Sequence, residues 1–289
     1  MKNSGIPSIF LILFSLLVLL CVDSLFSQPQ TNSYPWLAEF NPATSLQNRF
    51  QPPVGFQRIP ASPNSFGYWL RNLPLLPEGT PVKDYRSRIK VAPEDTILAA
   101  VVDYDIQGKK LEQCMDIIIR FRAEYLKSQK RVDEIAFYLP INYLLKWNDW
   151  KNGFRPIHRG SQINLLKNRS TDSSCNSFDE YLKEIFYHSN TQTAYFNYTR
   201  VQFEDIQIGD FIVKKGSHGH AVLILDVAID STGNKIALMG HGDTPARQFY
   251  ILNYKKDEPW FPLNPTDKYP PLPIKKKMYW DGLRRFYLK

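Results

Sequence analysis

The chain has 289 residues, 43% of them hydrophobic and 14% aromatic, which excludes disorder throughout and allows one large domain or two small ones. Its formal net charge of +8 admits nucleic acid, anionic lipid or an acidic polymer as partner. The N-terminus removes nucleic acid from that set, because it reads as a secretory leader.

Lys2 supplies a short positive region, and Ile9 to Val22 is apolar except for Ser15. The run is short for a membrane span and suits the core of a signal peptide over residues 1–27, cleaved after Ser27. Cys21 would serve a lipoprotein, but Leu20 before it is bulky where a small residue is wanted. A secreted or periplasmic envelope protein with no transmembrane segment after cleavage is expected. It would keep two cysteines, Cys114 and Cys175, and an oxidising compartment makes one disulfide between them an alternative.

Residues 28–66 carry seven prolines and read as an extended arm, packed through Trp36 and Phe56. Residues 67–253 read as a single α+β domain, and 254–289 as a Pro- and Lys-rich extension packed on it. Phe66 to Leu76 is aromatic and apolar, with Pro74 and Pro77 ending any helix begun there. Ile97 to Val102 reads as a buried strand. Leu111, Cys114, Ile118, Phe121 and Tyr125 recur at helical steps, which predicts a helix over Leu111 to Leu126 with Arg120, Arg122 and Glu124 mostly off its apolar face. Cys114 falls in its first turn, where unpaired amides favour a thiolate; the plainer alternative is an inert, buried thiol.

Glu134 to Leu139 reads as a strand. Trp147 and Trp150 open a polar loop that runs to about residue 176, its aromatics pinned to the core. Ser177-Phe178-Asp179-Glu180 reads as a capping box, placing Cys175 two residues outside the helix it opens. Thr193 to Phe203 is β-prone. Gly209-Asp210 then leads into a hairpin: Phe211 to Val213, a polar connection, and the apolar run Ala221 to Leu225 headed by His220. Lys235 to Met239 is a third strand, followed by Gly240-His241-Gly242-Asp243, and Phe249 to Leu252 is a fourth. Lys275-Lys276-Lys277 and Arg284-Arg285 read as solvated clusters.

Acyl transfer by a cysteine needs a thiolate, a base and a group that orients the base. Cys114 as nucleophile, His220 as general base and His241 as orienter supply the three, with Asp243 the alternative orienter. Amides at the Cys114 turn and the Gln113 side chain would hold the oxyanion. No cofactor and no metal is required. A second class of chemistry is metal binding, with His218, His220, His241 and Asp243 as ligands of zinc type.

The order Cys114, Gly209-Asp210, His220, His241 resembles the papain-like cell-wall peptidases and amidases of NlpC and CHAP type. That resemblance implies an antiparallel sheet with the cysteine-bearing helix packed on it, and a thiol hydrolase acting on amide bonds of a cell-wall or other anionic envelope polymer. The distance from Cys114 to His220 is longer than in those enzymes, which makes Cys175 a rival nucleophile. The chain also resembles an uncharacterised bacterial family catalogued as a domain of unknown function. The resemblance lies in Leu70-Arg71-Asn72-Leu73-Pro74-Leu75, Gln113-Cys114-Met115-Asp116, Arg122-Ala123-Glu124-Tyr125-Leu126, Gly219-His220-Ala221-Val222 and Pro245-Ala246. It implies a secreted or envelope protein and favours Cys114, since the Gln-Cys step belongs to the pattern. The chain departs from it at His241, where glutamine stands, and at Met115, where alanine stands.

Overall fold

The structure is a computed structural model and describes residues 34–286. The leader, its cleavage point and Cys21 lie outside the described residues. Among the described residues, no helix is long and apolar enough to cross a membrane.

The first half contains α1 (Leu46–Arg49), β1 (Phe56–Arg58), α2 (Phe66–Arg71), β2 (Val82–Lys83), β3 (Ile89–Val91), β4 (Leu98–Val101) and α3 (Cys114–Ser128). There follow β5 (Ala136–Leu139), β6 (Tyr143–Lys146), α4 (Trp147–Lys151), β7 (Phe154–Arg159), β8 (Gln162–Lys167), α5 (Cys175–His188) and α6 (Thr191–Asn197). The chain closes with β9 (Thr199–Arg200), β10 (Phe211–Lys214), β11 (His220–Asp230), β12 (Lys235–His241), β13 (Tyr250–Leu252), β14 (Trp260–Leu263) and β15 (Leu283–Arg285).

A large antiparallel sheet runs β4-β13-β12-β11-β10-β15-β9, with β1 also paired to β11 and β14 to β12. The fold is therefore mixed α/β around an antiparallel sheet. β11 is apolar without alternation because both faces are covered. Ala221, Leu223 and Leu225 join the aromatic core beneath the helices, while Val222, Ile224 and Val227 join a second core on the other face. The expected strands at 97–102, 134–139, 211–213, 221–225, 235–239 and 249–252 all form, most within one or two residues of the expected bounds and β11 extending to Asp230.

The helices differ more from expectation. α3 begins at Cys114, not at Leu111, because Asp116 turns its Oδ2 back to accept from the Gln113 amide at 3.0 Å. Its outer face is not solvated. Arg120, Arg122 and Glu124 are all buried. α5 lies against α3, and Arg120 bonds Glu112 at 2.7 Å, Asp179 at 2.7 Å and Glu124 at 3.2 Å. Arg120 and its carboxylates, which periodicity assigns to solvent, neutralise one another under a second helix, while Arg122 lies over the rings of Phe66 and Tyr125.

The expected loop over 147–176 is instead α4 and the β7–β8 hairpin. Trp147 and Trp150 are buried, edge-on to Tyr181 of α5. α5 starts at Cys175, capped by Ser174, whose hydroxyl accepts from the Ser177 amide at 3.2 Å. Ser177 is thus inside the helix and the box read there is not its cap. The β-prone stretch from Thr193 begins inside α6, because Asn190 caps the first turn of that helix by accepting from the Gln192 and Thr193 amides, and only Thr199–Arg200 of it is strand. The tail is no loose extension: β14 and β15 enter the sheet, and Arg285 chelates buried Asp210 at 2.6 and 2.8 Å. Arg284 is buried as well, against the expected solvated cluster.

Candidate functional site

The ends of β11 and β12 meet the first turn of α3, and most of the expected site residues gather there. Cys114 is the first residue of α3 and only 5% exposed. Gly242, just after β12, lies against this turn; a Cβ there would stand 3.1 Å from Ile117. Thr244 ties the same loop to the helix cap, its hydroxyl donating to the Gln113 side-chain oxygen at 2.8 Å. Cys114, Gln113 and Thr244 line a cavity of about 260 Å³, together with Asp116, Thr191 and Ser217.

The imidazoles of His220 and His241 are buried and meet edge to face, with His220 Nε2 2.7 Å from His241 Nδ1. The other nitrogen of His220, Nδ1, lies 3.4 Å from the Lys276 ammonium and 3.8 Å from an Asp243 oxygen. Lys276 also bonds Asp243 at 3.1 Å, and Arg247 lies 3.3 Å from the second oxygen. These contacts assign the tautomers. An ammonium only donates, so His220 Nδ1 accepts. His220 Nε2 then carries the proton and donates to His241 Nδ1. That leaves the proton of His241 on Nε2, which is buried without a partner among the described residues.

Burial sets the charge states. It pushes His220 down to about 4, helped by Lys276 and opposed by Asp243. It holds His241 well below the ordinary imidazole range, with His220 adding to the effect. Burial pushes the Cys114 thiol up to about 11, with Asp116 in the same direction, although the Ala221 amide and Lys276 favour the thiolate. Asp116 itself is pushed up to about 8 by burial, with Glu112 adding and the Gln113 amide opposing. Asp243 would rise through burial, but the Thr244 amide, His220, Arg247 and Lys276 hold it below the carboxylate range. Near neutral pH the site holds a thiol and neutral imidazoles, not a preformed thiolate–imidazolium pair.

Sulfur and imidazole are not bonded, and His220 does not line the cavity that Cys114 borders. Cys114 Sγ faces the backbone amide of Ala221, the residue after His220. Alternation along β11 turns Ala221 to the helix side and His220 to the side of Val222. Among the described residues no hydrogen bond joins Cys114 to His220.

Cys175, the rival nucleophile, is exposed at the first turn of α5, and its polar partner is Lys127 at 3.8 Å. Neither cysteine is in a disulfide, so the alternative of a staple between them does not form. The four-ligand set also fails to assemble: His218 is exposed and bonded to Ser217, while His220 and His241 spend facing nitrogens on each other. Lys276 and Asp116 were not among the expected site residues. Asp116 carries a signal, sitting three residues after the helix-capping glutamine. Lys276 carries none, being the middle of three identical side chains.

Fold and site together define a mixed α/β protein with a buried thiol and a coupled histidine pair at one end of an antiparallel sheet. The chain belongs to the family described as domain of unknown function (4846), which matches residues 46–273. Comparison with curated proteins and with solved structures gives no match.

Proposed function

We propose that the protein is a thiol hydrolase, a peptidase or amidase, acting on amide bonds of a cell-wall or other envelope polymer outside the cytoplasm. One observation carries this reading. The thiol at the head of a buried helix borders a cavity and abuts the residue that follows His220, whose ring is oriented by a second histidine. The order of these parts resembles that of papain-like NlpC-type enzymes, and the net positive charge suits an anionic polymer.

Cys114 is the nucleophile and His220 the base in this reading. Substrate entry displaces Lys276 from His220 Nδ1 toward Asp243, freeing the one lone pair in the histidine pair that faces away from His241. The thiol proton passes to Nδ1 through water around the head of β11, since sulfur and ring lie on opposite faces of that strand, as Sγ attacks the carbonyl carbon. His241 accepts from His220 Nε2–H and keeps the ring oriented as it becomes cationic. The first-turn amides of α3 and the Gln113 side-chain amide, whose oxygen is already committed to Thr244, receive the oxyanion. Collapse breaks the C–N bond, and the amine leaves with the proton held by His220. Water then cleaves the thioester.

The test is amide hydrolysis of soluble cell-wall fragments by the purified protein, followed by mass spectrometry. Cys114→Ser and His220→Ala should abolish product while Cys175→Ser retains it. Undiminished hydrolysis by Cys114→Ser, or none by the unaltered protein, overturns the assignment.

A further inference from the structure

A second constellation lies away from the thiol. Glu184 and His188 stand four residues apart on α5 and so share one face. The β7–β8 hairpin brings His158 onto that face. His158 Nε2 lies 3.2 Å and His188 Nε2 3.3 Å from one and the same oxygen, Glu184 Oε1. The two imidazoles stack with centroids 3.8 Å apart and planes 18° apart. The three donor atoms all fall within 4.8 Å of one another. Glu184 also lines an open cavity of about 500 Å³ together with Tyr187, which gives an entry path.

We propose that His158, Glu184 and His188 bind one divalent ion of zinc type, with the fourth position open to solvent. Two imidazoles and one carboxylate are the donor set of three-ligand zinc sites. Imidazole donors favour zinc, cobalt or nickel over the hard cations magnesium and calcium. An ion between the two Nε2 atoms would take a lone pair from each ring and satisfy the carboxylate that they converge on. It would also tie the hairpin to α5. None of the three ligands is a residue of the thiol site, so this assignment stands or falls separately from the hydrolase reading.

Untagged protein, stripped with a chelator and dialysed, should be titrated with zinc chloride by calorimetry and with cobalt chloride by visible absorption. One ion per chain is expected, with a d–d spectrum of low coordination number and a rise in melting temperature. His158→Ala and His188→Ala should remove binding while keeping the circular dichroism of the folded chain, and magnesium should not compete. The Cys114→Ala, Cys175→Ala double variant should bind as the unaltered chain does. Absence of saturable binding, undiminished binding by the histidine variants, or loss of the ion in the double cysteine variant would each refute the site.

Discussion

His220 owes its tautomer to a lysine 56 residues further along the chain. Lys276 donates to Nδ1, and Asp243 draws both groups into one cluster. Because Lys276 opposes protonation of the ring and Asp243 favours it, Lys276→Met should raise the His220 titration midpoint and Asp243→Asn should lower it. Imidazole shifts followed by NMR against pH would report both. A fall on Lys276→Met would mean that the ammonium does not face the ring. Cys114 shifts in the same direction: losing Lys276 removes a cation that favours its thiolate, so alkylation by iodoacetamide at fixed pH should slow in the same variant.

At the scale of elements, a buried carboxylate on β11 fastens the N-terminal arm. Asp226 is fully buried, and Arg58 of β1 and Arg71 of α2 bond its two oxygens at 2.7 and 2.8 Å. Removing it leaves the largely buried Arg71 unpaired, so Asp226→Ala should cost about 3–5 kcal/mol, measured by urea unfolding. Arg58→Ala should cost less, since its guanidinium keeps partial contact with water. The β elements were legible from runs such as Ala221 to Leu225, whose length and flanking glycines speak for a strand whatever lies around them. The helical starts were not. Ser177 and Ser174 both offer a capping hydroxyl near one apolar pattern, and the choice between them depends on the chain path from the β7–β8 hairpin.

For the molecule as a whole, three groups at the site set opposing pH slopes. His220 and His241 have folded pKa values below the unfolded 6.5, so their contribution is present above that pH and is lost as pH falls toward 4. Asp116 is raised from 3.8 to about 8, so its contribution is present below 3.8 and is lost as pH rises through 8. Two histidines outweigh one aspartate below 6.5, and Asp116 alone acts between 6.5 and 8. These groups place a stability maximum near pH 6.5. Asp116→Asn should flatten the decline between 6.5 and 8 and steepen the rise between about 4 and 6.5, where the two histidines then act unopposed, read from melting temperature against pH. An unchanged decline in that variant would show that Asp116 is ionised at neutral pH.

Composition and local pattern alone determined six of the strands, the helix that opens at Cys114 and the placing of His220 beside the end of the next strand, where His241 and Asp243 both stood as partners, since strand length, helical period and hairpin order are short-range properties. What stands over those strands was decided only by tertiary packing. Lys276 reaches the histidines because the tail threads β14 and β15 into the sheet, and Arg120 finds its carboxylates because α5 covers α3. The imidazole lies on one face of β11 and the thiol approaches from the other because both faces are covered, and periodicity along a single strand does not say by what. His158 meets Glu184 and His188 for the same reason: the four-residue step on the helix is visible in the chain, and the hairpin that completes the trio exists only in three dimensions.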